Sequence, residues 1–138
     1  MALYATLPLL AFAAERPNFA GYYEPATPSS GRIFKLSLTQ DGSRVHAVFC
    51  ASDAGDPDSQ PTGEGDGRVN SDGVLEFKFK DSHENKGTAT LVHEKDHYRF
   101  EMRVTKIADA APLHFYGVLT MKRVGDPVAT HKKSAGAM

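Results

Sequence analysis

The chain has 138 residues, 41% apolar and 24% charged, with 16 Lys and Arg against 17 Asp and Glu for a net charge of −1. That is room for one ordinary globular domain, and a near-neutral chain has no overall electrostatic pull toward nucleic acid or anionic lipid. One Cys and six His exclude a CxxC…CxxC zinc site and an intrachain disulfide framework.

The chain opens on MALYATLPLLAFAA, an apolar stretch that meets Glu15, Arg16 and Pro17. Ala11-Phe12-Ala13 is an A-x-A site of the kind signal peptidase cuts just before polarity changes. The run is shorter than the roughly twenty apolar residues of a membrane span. Residues 1–13 are therefore expected to be a signal peptide, which places the mature protein in the periplasm or outside the cell. No Lys or Arg precedes the apolar core, and Pro8 interrupts it. The alternative is an apolar arm that packs on the domain.

From Phe19 onward the residues alternate with the period of two that marks half-buried strands. Gly21-Tyr22-Tyr23 opens the first. In Arg32 to Gln40, Phe34, Leu36 and Leu38 alternate with Lys35, Ser37 and Thr39, and Asp41-Gly42 supplies a tight turn. Val45 to Ser52 returns with Val45, Ala47 and Phe49 on one face. A weaker strand spans Gly63 to Val69, and Asn70-Ser71-Asp72-Gly73 turns the chain. Leu75, Phe77 and Phe79 mark the next strand, Lys86 to His93 a Thr-rich one, and Tyr98, Phe100, Met102 and Val104 another. The last is expected from about Leu113 to Arg123, after a stretch, Ala108 to Leu113, with room for one helical turn.

Eight short strands joined by tight turns predict an all-β domain, a single antiparallel up-and-down eight-stranded barrel over residues 19–123. Residues 124–138 read as a disordered tail. A barrel of eight strands holds its own side chains or one small ligand. The expected inward residues include Phe34, Leu36, Leu38, Phe49, Leu75, Phe77, Phe79, Leu91, Tyr98, Phe100 and Met102, large enough to fill it. A ligand cup would need an open end lined by Tyr98, Phe100 and Phe115.

Three polar groups attract a functional reading. Asp53, Asp56, Asp58, Glu64 and Asp66 share a stretch without Lys or Arg. It lacks EF-hand spacing, so no metal is expected; an acidic loop suits a basic protein partner better. Asp81-Ser82-His83-Glu84-Asn85 holds the letters of a hydrolase triad, but neighbours along a strand do not converge, and a surface turn is expected. His93 and His97 flank a hairpin turn without a third ligand for zinc. Cys50, with His46 as its nearest basic residue, reads as a buried inert thiol.

An eight-stranded meander opened by Gly21-Tyr22-Tyr23 and closed by Arg123 resembles the calycins: lipocalins, avidins and fatty-acid-binding proteins. In lipocalins a Gly-x-Trp element packs beneath the barrel near an Arg of the last strand. The resemblance implies that Tyr23, standing where Trp would, stacks under Arg123 to close the barrel. Small envelope inhibitors of lysozyme-type enzymes are also short antiparallel barrels.

No motif with mechanistic spacing survives, so the chain is not expected to be an enzyme or to need a cofactor. The first expectation is an exported inhibitor or immunity-type protein that presents its acidic residues to a basic envelope enzyme. The alternative is a carrier of a small apolar ligand. Neither nucleic-acid binding nor membrane insertion is expected.

Overall fold

The computed structural model describes residues 17–27, 32–53 and 61–125. Eight strands follow one another: β1 (Gly21–Pro25), β2 (Arg32–Asp41), β3 (Arg44–Asp53), β4 (Thr62–Val69), β5 (Leu75–Asp81), β6 (Lys86–Glu94), β7 (His97–Lys106) and β8 (Val118–Gly125). Each pairs antiparallel with the next, and β8 pairs with β1, so the sheet closes into an up-and-down barrel. This is the expected architecture, and it is compatible with a calycin-like barrel.

The period-two pattern fixes which side chains fill the interior. Phe34, Leu36, Leu38, Phe49, Leu75, Phe77, Phe79, Leu91, Phe100 and Met102 are all buried in one core. Their rings interlock: Phe34 stacks on Phe49 at 5.7 Å, Phe49 meets Phe79 edge-on at 5.5 Å, and Phe77 lies 6.1 Å from Phe100. Pairs at these separations add to the stabilisation that burial alone provides.

Strand β4 explains how so many rings fit. Its sequence TGEGDGRV places Gly63, Gly65 and Gly67 at alternate positions. A Cβ on Gly63 would collide with the Phe49 ring, one on Gly65 with the Lys78 carbonyl oxygen, and one on Gly67 with the Glu76 carbonyl and Phe77. The backbone of β4 thus lies against the Phe49 ring and the β5 backbone, with no room for a side chain at these three positions. The strand looks weak in sequence because three of its four inward positions carry no side chain, Val69 being the fourth; large residues on β3 and β5 complement them.

The C-terminal ends of β1, β3, β5 and β7 lie at one end of the barrel, and the turns after β2, β4 and β6 at the other, with residues 17–20. At the latter end, Phe19 is buried. Gln40 ties it down: its Oε1 accepts from Phe19 N–H at 2.7 Å, and its Nε2 donates to Pro17 O and Gly42 O, each at 2.9 Å.

Three boundaries or placements differ from the sequence reading. The last strand starts at Val118, not near Leu113; Leu113–Phe115 is a single 3-10 turn, followed by Gly117 with φ of 149°. The strand also continues through Val124 to Gly125, so two residues assigned to the tail belong to the barrel. Cys50 is exposed, not buried, because alternation turns Phe49 inward and leaves its neighbour on the outer wall. The expected signal peptide, residues 1–13, and the tail 126–138 lie outside the described residues.

Candidate functional site

The end of the barrel reached by the β5–β6 turn and the β7–β8 connection concentrates the polar chemistry. Asp81 ends β5 with 3% exposure, and Asn85 is fully buried. The Asp81 carboxylate accepts four hydrogen bonds. Oδ1 takes the N–H of His83 at 2.8 Å and of Asn85 at 2.9 Å; Oδ2 takes Asn85 Nδ2 at 3.0 Å and the Tyr116 hydroxyl at 2.6 Å. A buried carboxylate is tolerated on such terms. Burial and the adjacent Asp81 together push the Tyr116 phenol far above its ordinary pKa.

Asn85 then reaches the other segment. Its Oδ1 accepts from the N–H groups of Ala108 and Asp109 at 2.7 and 2.9 Å, and its Nδ2 donates to Asp109 O at 2.9 Å. His83 Nδ1 lies 2.7 Å from Asp109 Oδ2. The Asp109 carboxyl is held below the usual range by the Ala111 N–H first and by His83 second. The five residues that carry triad letters therefore do not form a plain surface turn. Its two ends are a buried clamp that holds residues 108–116 across the barrel, while Ser82 and Glu84 remain exposed.

The predicted acidic group is dispersed by this frame. Asp53 Oδ2 lies 2.6 Å from His114 Nε2, on the 3-10 turn. Glu64 and Asp66 face outward from β4 and bracket His46, with Glu64 Oε1 3.4 Å from Nε2 and Asp66 Oδ1 2.7 Å from Nδ1. Asp56 and Asp58 lie outside the described residues. Both anchors of the segment that carries them are held: Asp53 by His114, and Pro61, fully buried, by its carbonyl accepting from Ala51 N–H at 3.0 Å.

These contacts bear on histidine chemistry. A general base needs one ring nitrogen for the substrate proton while the other is oriented. In His114 the second nitrogen, Nδ1, faces Ala111 O at 3.1 Å, so both are committed; the same holds for His46. His97 is likewise bracketed by Glu94 and Asp96, and His93 stacks on the Tyr98 ring at 4.4 Å. Among the described residues, no three His, Cys, Asp or Glu gather to hold a metal ion.

The residues named for a ligand cup do not share one mouth. Tyr98 sits at the Phe19 end, with its ring edge-on to Tyr23 at 5.0 Å. Phe100 is fully buried at mid-barrel, and Phe115 belongs to the opposite end. A cleft of about 370 Å³ does open beside the 3-10 turn, lined by Phe34, His114, Phe115, Tyr116 and Leu119. Tyr23 and Arg123 are register partners on β1 and β8. Arg123 Nη1 donates to Asn18 O at 3.2 Å, and the Tyr23 hydroxyl donates to Phe19 O at 2.5 Å. Burial and then Tyr98 raise the Tyr23 pKa strongly, with Arg123 opposing. Gly21, at φ of 150°, admits the arginine: a Cβ there would lie 2.8 Å from Arg123 Nε.

Sequence reasoning missed Asp81, Asn85 and Tyr116 as a unit, although Asp and Asn at the ends of a turn are residues that bond their own backbone. Among the described residues, no helix is long and apolar enough to cross a membrane. No family model matches the chain, and no curated protein matches it either.

Proposed function

We propose that this protein is a non-enzymatic, exported binding module, an inhibitor or immunity-type protein directed at a basic envelope enzyme. The observation that carries the reading is the barrel interior. It is filled by interlocked rings along its length, with Phe19 buried at one end and Phe115 at the other, so binding falls to the outer surface and the loops. The β3–β4 connection suits that task, because both its anchors are held by hydrogen bonds to the rigid frame. Loops positioned in this way are where binding function concentrates. Asp56 and Asp58 are then the acids that meet the partner, since His114 and His46 engage Asp53, Glu64 and Asp66.

Calycin kinship is part of the proposal, supported by the closed meander and by the meeting of Gly21 with Arg123 beneath the barrel. The carrier alternative rests on the cleft beside Phe34 and Phe115, not on the interior.

The test is inhibition of a basic, lysozyme-type enzyme by the full chain at stoichiometric ratio, with native mass spectrometry of the mixture. Inhibition with a one-to-one complex is expected. A chain that leaves activity unchanged and forms no complex overturns the inhibitor reading. A small-molecule mass that leaves on denaturation favours the carrier.

A further inference from the structure

The outer wall of β5, β6 and β7 carries a group of cations for which the fold gives no reason. Lys80 is the register partner of Lys86, and Lys86 of Lys106, so three lysines lie side by side across three strands. The next row holds Lys78, Thr88 and Arg103. All are exposed. Like charges directly opposed in a sheet are destabilising, so this row weakens the barrel that carries it.

Two ion pairs offset part of it. Glu84 Oε1 pairs with Lys80 Nζ at 3.0 Å, and Glu101 Oε2 lies 3.4 Å from Arg103 Nη2. Glu64 and Asp66, across from Lys80 and Lys78 on β4, are turned to His46 instead. Lys78, Lys86 and Lys106 make no ion pair among the described residues. Ile107, directly after Lys106, is 61% exposed.

We propose that this wall docks on an anionic lipid surface, with the lysine rows on headgroup phosphates and Ile107 entering the layer beneath. Flexible, strongly hydrated lysines without a fixed hydrogen-bonding frame suit a mobile field of phosphates better than one defined group. An exposed aliphatic side chain at the rim of a basic row fits a partner whose charge overlies hydrocarbon. Nucleic acid offers phosphates without that layer, and no aromatic ring stands in these rows for bases to stack on. The net charge of −1 keeps the attraction local to this face and absent from the chain as a whole. Docking here does not depend on the inhibitor reading.

The experiment is co-sedimentation of the full chain with vesicles of phosphatidylcholine alone and with added phosphatidylglycerol, at low and high salt. Anionic vesicles are expected to retain several-fold more protein, with the excess lost at high salt. The variant Lys80→Glu/Lys86→Glu/Lys106→Glu should weaken that excess about a hundredfold, and Ile107→Ser should weaken it severalfold. Lys86→Glu alone should raise Tm, by placing an acid between two lysines, while it weakens binding; this separates docking from misfolding. Absence of any excess, or an excess unchanged in the triple variant, overturns the proposal. Equal retention by a short DNA duplex under the same salt overturns the lipid assignment.

Discussion

The Tyr116 hydroxyl donates to the buried Asp81 carboxylate at 2.6 Å, joining the segment after β7 to the end of β5 across 35 positions of sequence. Removing the donor leaves Asp81 Oδ2 with Asn85 Nδ2 alone. Tyr116→Phe is therefore expected to cost about 1–3 kcal/mol, the range for a buried acceptor that loses a partner. Urea unfolding with an unchanged m-value checks it. A variant as stable as the parent would show that the clamp does not hold the barrel end.

The three inward glycines of β4 make a second prediction. Gly65→Ala places a methyl group against the Lys78 carbonyl oxygen, which belongs to the neighbouring strand and cannot turn aside. The cost is expected at about 3 kcal/mol or more, the upper range for overpacking. Thr88→Ala on the outer wall should stay within about 0.5 kcal/mol of the parent. Thermal unfolding of both variants decides it.

Stability should be bounded at both ends of the pH scale. Tyr23 and Tyr116 have folded pKa values raised above the unfolded one, mainly by burial. Their contribution is complete below the unfolded tyrosine value of about 10 and is lost as pH rises beyond it. Asp109 and Asp96 are depressed, Asp109 first by the Ala111 N–H and Asp96 first by His97. Their contribution is complete above the unfolded aspartate value of about 3.9 and is lost as pH falls below it. Ultraviolet titration should show Tyr23 and Tyr116 silent until alkaline unfolding; early ionisation of every tyrosine would contradict their burial.

The acidic residues should separate into two behaviours. Asp53→Asn weakens the pair with His114 and is expected to lower stability by about 0.5–1 kcal/mol, as for a partly exposed ion pair, with little change in association. Asp56→Asn/Asp58→Asn should leave stability alone, slow association with a basic enzyme and flatten its salt dependence, because steering acts on encounter. Stopped-flow association at two ionic strengths distinguishes them. Equal effects of both variants on the on-rate would place Asp53 in the binding surface as well.

Local pattern carried most of the barrel because a closed sheet turns every second residue inward, so Phe34, Leu36 and Leu38 or Leu75, Phe77 and Phe79 announce their own burial. The same rule, applied to Cys50, places it outward beside Phe49, and the exposed thiol was legible there. The start of β8 was not. Leu113, His114 and Phe115 have apolar content like a strand, but Asn85 holds the segment before them, and Tyr116 is drawn to Asp81.

The order of the strands, their faces and most of the turns between them follow from alternation and turn residues within a few positions. Which polar groups meet is set by the fold as a whole. His114 finds Asp53 across 61 positions, and Asn85 finds Asp109 across 24. Lys86 stands between Lys80 and Lys106 only because the register of three strands puts it there. Such encounters depend on how the sheet closes, and closure is a property of the whole barrel that no short stretch of residues contains.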